Sequence, residues 1–326
     1  MTHRRDLLTC AVTGAIVAAC PVLAQPAPPF RIGWLAPGTM AEDLPRLDML
    51  RQELRDLGYV EGGNLVIDAR WAEHSAARVE ALVAALVAQA PHVIVTVGPQ
   101  AVALRRATKT IPVVFTYSGD PVQAGLVESY ARPGGNFTGI SFLQLELVGK
   151  RIELLKAVMP GLKRIAVLAN PQHPGDQAER RASEVAARAV GLEIEYFEFV
   201  GAAQLDHALE AARNSRHEAA LMFPVQSINS NSARIAAWSI RNRIPTVSGW
   251  SRFAEEGNLM TYGANMRETH RRLATFVDRI LKGAKPAELA VEIPLHFELV
   301  INLKAAKALG LAVPQSVLLR ADRVIE

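Results

Sequence analysis

The residues best suited to bind a small molecule lie in loops that follow predicted strands. These loops span residues 37–40, 98–100 and 116–121 in the first half of the chain, and 170–173, 223–227 and 248–251 in the second. They are rich in Gly, Ser, Thr, Gln and aromatic residues, which hydrogen-bond and stack on small polar ligands. In open parallel sheets, ligands bind at the carboxyl ends of the strands, beside the N–H groups of the following helices. If two such sheets face each other, these loops form one cleft.

Several of these residues have both a binding and a structural interpretation. Asp120, followed by Pro121, is a good helix N-cap, a role that contributes about 1 kcal/mol. Its carboxylate is equally suited to accept hydrogen bonds from a ligand ammonium or hydroxyl group. Asn170 ends a strand before a proline, and its amide offers a ligand both a donor and an acceptor.

Four aromatic residues are candidates for contact with a ligand. Tyr117, Phe223 and Trp250 can stack on a planar ligand or a sugar, or pack inside a lobe instead. Tyr262 lies at the end of a predicted strand over 258–262, which places it toward the hinge side of the cleft.

The sequence lacks the motifs of common catalytic, metal and nucleotide sites. Gly134 and Gly139 have the spacing of a P-loop, but Ile140 stands where the lysine must be. We find no GxGxxG, HExxH or GxSxG pattern and no clustered Cys/His ligands. We therefore expect no metal, no cofactor and no catalysis, and predict a binding protein. A cleft hydrolase that uses Asp120 and His173 is the enzymatic alternative.

The composition is that of a globular protein without a nucleic-acid footprint. Of 326 residues, 50% are hydrophobic and 21% are charged, which excludes disorder. The net charge is +4, but the arginine pairs at 105–106, 180–181 and 271–272 are isolated within stretches of mixed charge. No basic stripe alternates with aromatics, so we expect no binding to nucleic acid.

The first 24 residues have the pattern of a cleaved signal peptide. Arg4 and Arg5 precede an uncharged apolar run over 7–19, and the small residue Ala24 marks the cleavage site that we favour. The run is too short to cross a bilayer. A lipid anchor on Cys20 is the alternative, and the Sec and twin-arginine routes both stay open. We predict a periplasmic protein in which residues 25–30 form a linker.

Strands and helices alternate through the rest of the chain. The Val- and Ile-rich strands are typical of parallel sheets that helices cover on both faces, which predicts a doubly wound α/β fold. The helix before Gly58 is expected to bury Leu44, Leu47, Leu50, Leu54 and Leu57. The helix before Gly191 is expected to bury Ala182, Val185, Ala186 and Ala189.

The two halves of the chain repeat each other. Arg31, Gly58 and Ile111 each have an identical residue 133 positions further on, at equivalent points of the alternation: Arg164, Gly191 and Ile244. Three matches at one offset indicate a duplication. We therefore predict two similar lobes with a ligand cleft between them.

Four stretches resemble one protein family. They are Gly-Tyr-Val-Glu-Gly-Gly-Asn at 58–64, Ser-Gly-Asp-Pro-Val at 118–122, Ala-Arg-Pro-Gly-Gly-Asn-Phe-Thr-Gly at 131–139 and Phe-Glu-Leu-Val-Ile-Asn-Leu-Lys at 297–304. Together they resemble the substrate-binding proteins of ABC transporters with the type I periplasmic-binding-protein fold, in the subgroup that includes tryptophan and tyrosine receptors. The similarity runs from about residue 31 to the end of the chain.

The resemblance implies an organisation and a function. The first lobe would comprise residues 31–143 and about 267–291, and the second 144–266 and about 292–326. The protein would be a monomer that binds a small polar molecule, with an aromatic amino acid as the first candidate. It would close by a shift of population from open to closed forms and deliver the ligand to a membrane permease with its ATPase. A receptor that signals to a kinase is the alternative.

The resemblance also implies ligand contacts. These are Thr39, Gly98, Gln100, Tyr117, Ser118, Asp120 and Asn170, followed by Phe223, Trp250 and Tyr262.

Overall fold

A computed structural model describes residues 28–142 and 145–326. The predicted signal peptide, with Cys20 and Ala24, lies outside these residues. The described chain contains twelve strands: β1 Phe30–Ala36, β2 Leu65–Trp71, β3 Val93–Val97, β4 Val113–Tyr117, β5 Phe137–Ser141, β6 Arg164–Ala169, β7 Glu193–Glu198, β8 Ala219–Met222, β9 Thr246–Ser248, β10 Met260–Ala264, β11 Phe297–Asn302 and β12 Arg323–Ile325. It contains twelve α-helices: α1 Met40–Asp56, α2 Ala76–Ala88, α3 Gln100–Ala107, α4 Glu146–Val158, α5 Asp176–Ala189, α6 Ala202–Asn214, α7 Gln226–Ser230, α8 Ser232–Asn242, α9 Ser251–Glu255, α10 Met266–Leu281, α11 Leu303–Leu309 and α12 Gln315–Leu318.

The first lobe is built on a five-stranded parallel sheet with the order β2-β1-β3-β4-β5. Successive residues of a strand face opposite sides of a sheet, so both sides of this sheet carry a core. Trp34 packs with α1 and α10 on one side, and Leu35 packs with α2 and α3 on the other. The sheet is therefore doubly wound, as predicted.

The second lobe repeats this order and extends it. Its strands run β7-β6-β8-β9-β10-β11-β12, and the first five correspond one by one to those of the first lobe. The pairs that suggested a duplication lie at equivalent places. Arg31 and Arg164 lie in β1 and β6, and Gly58 and Gly191 follow α1 and α5 with positive φ angles of 91° and 66°.

Two strands, β11 and β12, depart from the predicted parallel arrangement. β11 runs antiparallel to β10, while β12 is parallel to β11. The chain leaves β10, forms α10 against the first lobe and pairs Glu292 beside Ile140 of β5. It then enters the second sheet from the side that the first lobe occupies, so β11 runs against its neighbour.

The buried face of α5 also differs from the prediction. Val185 and Ala189 are exposed, and the buried residues are Asp176, Glu179, Ser183 and Ala187. The prediction rested mainly on alanines, and each alanine gains little free energy from burial because its apolar area is small. The helix instead turns two carboxylates inward.

None of the described helices combines the length and the apolar character that crossing a membrane would require.

Candidate ligand site between the two lobes

A cavity of about 80 Å³ lies between the lobes, where the loops after the parallel strands meet. Its first-lobe lining comes from α1, from α10 and from the loops after β1, β3, β4 and β5, and its second-lobe lining from the loops after β6, β8 and β9. On one side it opens into a wider space of about 620 Å³, and the two spaces share Pro37, Pro99, His173, Pro174, Val225 and Gln226. We call the smaller space the central cavity and the larger one the mouth.

Five of the residues predicted to contact a ligand border these two spaces. Gly98, Ser118 and Trp250 line the central cavity, while Gln100 and Asn170 line the mouth. Gly98 has a φ of 73°, a left-handed conformation that suits glycine and turns the chain sharply from β3 into α3.

Two other predicted residues are engaged in hydrogen bonds with nearby backbone. Thr39 is the N-cap of α1, where its hydroxyl accepts from the N–H of Glu42 and Glu42 accepts from the N–H of Thr39. Asp120 Oδ1 accepts from the N–H groups of Val122 at 2.8 Å and Gln123 at 3.3 Å. The segment that follows Asp120 forms turns where a helix was predicted.

The remaining three predicted residues pack inside the lobes. Tyr117 belongs to the core beneath α3, and Phe223 is fully buried in the core of the second lobe. Tyr262 packs against that same core, with its ring 6.3 Å from the ring of Phe297. None of the three lines the central cavity.

The first lobe brings a buried arginine to the cavity, which we did not predict. Arg46 lies on α1, and its guanidinium carbon stands 5.2 Å from the ring centroid of Trp250 in the second lobe. Burial lowers the pKa of Arg46, while the Asp43 carboxylate, 3.5 Å away, opposes that effect. A cation stacked on an aromatic face across the cleft links the two lobes.

The second lobe places a histidine in the wall of the central cavity, and an arginine and a carboxylate line a smaller space next to it. Arg151 on α4 is 3% exposed, and its Nε donates to the carbonyl of Tyr262 at 2.8 Å. Burial lowers its pKa to about 10. Burial raises the pKa of Glu179, on α5, to about 7, although the charge of Arg151 opposes this. Burial lowers the pKa of His173 to about 4, so its ring is neutral at pH 7.

Of the eleven buried side-chain polar atoms of the described residues that have no hydrogen-bond partner, four belong to residues that line these spaces or the small cavity beside them. They are Gln100 Oε1 in the first lobe and Glu179 Oε2, Gln226 Oε1 and Ser227 Oγ in the second. Buried polar atoms in folded proteins are nearly always paired with protein or ordered water, and a polar ligand in the cleft would supply partners to these four. The described residues contain no group of three or more side chains placed to hold a metal ion.

The two lobes touch directly around the cavity. Gln226 Nε2 donates to the carbonyl of Glu42 at 3.4 Å. The backbone at Ser118 and Gly119 meets Pro174 and Gly175 of the second lobe without room for another carbon atom.

The fold, two α/β lobes with a cavity where their loops meet, is that of a two-lobed binding protein. Comparison with known proteins agrees, because residues 46–325 match the family model of the ABC transporter substrate binding protein. The chain therefore belongs to this family, which consists of solute-binding proteins and is not a class of enzymes.

Named relatives cover most of the chain. A tyrosine-binding protein from Clostridioides difficile (strain R20291) is 25% identical over 82% of this chain and 78% of its own. A Vibrio cholerae conserved domain protein is 28% identical with a TM-score of 0.84, covering 90% of this chain and 99% of its own. A Streptococcus pneumoniae ABC domain in complex with L-Trp is 26% identical with a TM-score of 0.83, covering 91% and 100%.

Proposed function

We propose that this chain is the exported receptor of an ABC importer and that it binds an amino acid between its lobes. The observation that carries the proposal is the set of orphaned buried polar atoms that both lobes contribute to one cleft. Such atoms lose hydrogen bonds to water on folding, and a polar ligand restores them. Similarity to a tyrosine-binding protein and to a chain solved with L-Trp supports an amino acid, and Trp250 beside the cavity supports an aromatic one.

We infer that ligand binding works by a shift of population from open to closed lobes. We take the moving units to be residues 31–143 with 267–291, and 144–266 with 292–326. A ligand that bonds to both lobes binds the closed form better, and only this difference in affinity moves the equilibrium. Closure expels water, which strengthens the polar contacts inside. A permease would then recognise the closed outline.

A screen of thermal stability tests the ligand class. The purified chain is heated with each L-amino acid, and with sugars and nucleosides as controls. A ligand at 100 times its Kd adds about 2.7 kcal/mol to the free energy of unfolding. We expect aromatic amino acids to raise the melting temperature most. A shift with sugars or nucleosides and none with any amino acid contradicts the proposal.

Transport, signalling and hydrolysis predict different fates for the ligand. A receptor returns its ligand chemically unchanged, so mass spectrometry after incubation tests the hydrolase alternative. Uptake of labelled ligand that stops when the gene is deleted supports transport. Normal uptake with a lost transcriptional response favours the receptor-kinase alternative.

Export is tested at the N-terminus. We expect the mature protein in the periplasm to begin at Gln25. Lipid attached at residue 20 would support the anchored alternative.

A further inference from the structure

Arg151 and Glu179 lie in the second lobe below the central cavity, on two helices that pack together. Glu179 is 8% exposed, and its Oε2 has no hydrogen-bond partner. His173 Nε2 stands 3.5 Å from that oxygen without the geometry of a hydrogen bond, and its ring is neutral. Among the described residues no direct ion pair joins Arg151 to Glu179, although the arginine charge acts on the carboxylate. A buried charge without a direct partner is costly unless something else supplies one.

A small space separates these two side chains from the ligand cleft. It measures about 20 Å³ and is lined by Arg151, Glu179 and Ser118, among others. About 10–15 Å³ is enough for one water molecule, so this space holds one group of that size, such as an ammonium group, and the rest of a ligand would lie in the adjoining central cavity. We call this space the side cavity. It shares its walls with the central cavity at Ser118, Phe142, His173, Pro224 and Trp250.

The guanidinium of Arg151 is held at the side cavity. Its Nε–H bond to the carbonyl of Tyr262 fixes the plane of the group. Its Nη2 lies against Gly249, where an added Cβ would stand only 2.7 Å away. Gly249 itself lines the side cavity. The terminal nitrogens therefore reach the space that Glu179 borders.

We propose that Arg151 and Glu179 form the subsite for the charged head group of an α-amino acid. Glu179 Oε2 accepts a hydrogen bond from the ligand ammonium group, and the Arg151 guanidinium donates to the ligand carboxylate. The side chain of the ligand extends into the central cavity toward Trp250. This inference rests on the proposed function and specifies which residues recognise the ligand.

The charges of the pair favour a zwitterion over a simple ion. A lone cation would pair with Glu179 and leave a second positive charge beside Arg151, and a lone anion would do the reverse. A zwitterion supplies one opposite charge to each partner, and charge-assisted hydrogen bonds are the strong ones. The class of ligand that fits is therefore a free α-amino acid with both charges intact.

Ligand analogues test the head-group subsite on the unmodified protein. The probe is the L-amino acid that binds the full chain most tightly in calorimetry. It is compared with its N-acetyl derivative, which lacks the ammonium group, and with its amide, which lacks the carboxylate. Loss of a hydrogen bond to a charged group corresponds to about 10- to 150-fold in Kd, and we expect each analogue to bind about 100-fold more weakly.

Variants assign the ammonium contact to Glu179. Glu179→Gln keeps the shape and removes the charge, so it should weaken the parent amino acid about 100-fold. In that variant the N-acetyl derivative should bind nearly as well as the parent amino acid, because the contact between Glu179 and the ammonium group is already missing. Glu184→Gln makes the same change on the exposed side of α5 and should bind like the wild type.

Three results separate the failure of this inference from that of the proposed function. If no amino acid binds, the proposed function fails and the subsite fails with it. If an amino acid binds and the Kd of its N-acetyl derivative is within threefold of its own, only the subsite is wrong. If Glu179→Gln folds and binds normally while the N-acetyl derivative does not, the ammonium contact lies elsewhere. If Glu179→Gln does not fold, the analogue series on the wild type decides alone.

Discussion

The carbonyl oxygen of Ser118 in the first lobe lies 2.6 Å from the position that a Cβ atom would occupy at Gly175 in the second. Real Cβ atoms do not approach another backbone this closely. Gly175 is also the residue before α5, with a φ of −88° that any residue can adopt. The glycine is therefore required by the contact between the lobes and not by its own conformation.

Gly175→Ala should hinder closure of the lobes. The added methyl group meets the backbone of Ser118 only when the lobes are together, so the open form is spared. Overpacking of this kind costs about 1–3 kcal/mol, which corresponds to an increase in Kd of about 5- to 150-fold. Calorimetry measures the Kd, and small-angle scattering of the saturated protein measures how far the lobes close.

Gly161→Ala is the matched control for this prediction. A Cβ at Gly161 meets nothing within 4 Å, so ligand affinity should not change. A Gly175→Ala variant with the Kd of the wild type would show that the lobes bind ligand without this contact.

Trp250 should report ligand binding by fluorescence. The chain has four tryptophans, and Trp250 lines the central cavity while Trp34 and Trp238 are buried within the lobes. A ligand that enters the cavity changes the surroundings of Trp250 and its stacking with Arg46. Titration with the tightest-binding ligand other than tryptophan should change the emission of the wild type, and Trp250→Phe should abolish most of that change.

Trp71→Phe is the control, because Trp71 lies in β2 and packs against the core of the first lobe. It should keep the ligand-induced change. If Trp71→Phe removes the signal and Trp250→Phe keeps it, the ligand does not occupy the central cavity.

Asp120→Asn should leave both ligand affinity and stability nearly unchanged. Asparagine can accept the same two backbone hydrogen bonds and forms the same kind of turn. Asp120→Ala should lower the free energy of unfolding by about 1 kcal/mol because those N–H groups lose their acceptor. Denaturant unfolding and calorimetry measure the two effects. A tenfold loss of affinity in Asp120→Asn would place the ligand ammonium group at Asp120.

The two-lobed fold could be predicted from sequence because its signals are local. Strands β1, β3 and β4 are apolar on both faces, and the repeated residues mark the start and end of equivalent elements. The burial of Tyr117 could not be predicted, because it depends on where β4 ends. β4 runs two residues past its predicted end, so Tyr117 falls on the same face as Phe115 and enters the core.

The charged part of the candidate site could not be predicted in the same way. Arg151 follows the buried Val148 by three residues and precedes the buried Leu155 by four, so it lies on the apolar stripe of α4. Arg46 and Glu179 likewise lie on the buried faces of their helices. A charged residue on an apolar stripe indicates a buried ion, so the burial of these three residues could have been predicted from the sequence. Which of these ions reach a ligand depends on how the lobes meet, and no local pattern encodes that.

Ligand affinity should depend on pH through Glu179. Burial raises the pKa of this carboxyl group from its usual value to about 7, so it is largely protonated at pH 6 and largely ionised at pH 8. Only the ionised form attracts an ammonium group, so affinity should fall about tenfold as the pH drops from 8 to 6. The groups that face Glu179 are Arg151 from α4, with a pKa of about 10, His173, with a pKa of about 4, and Asp176, which is ion-paired to Arg180. Glu179→Gln should remove the dependence in calorimetry at the two pH values, and a wild type whose Kd is the same at pH 6 and pH 8 would show that Glu179 does not bind the ligand in its charged form.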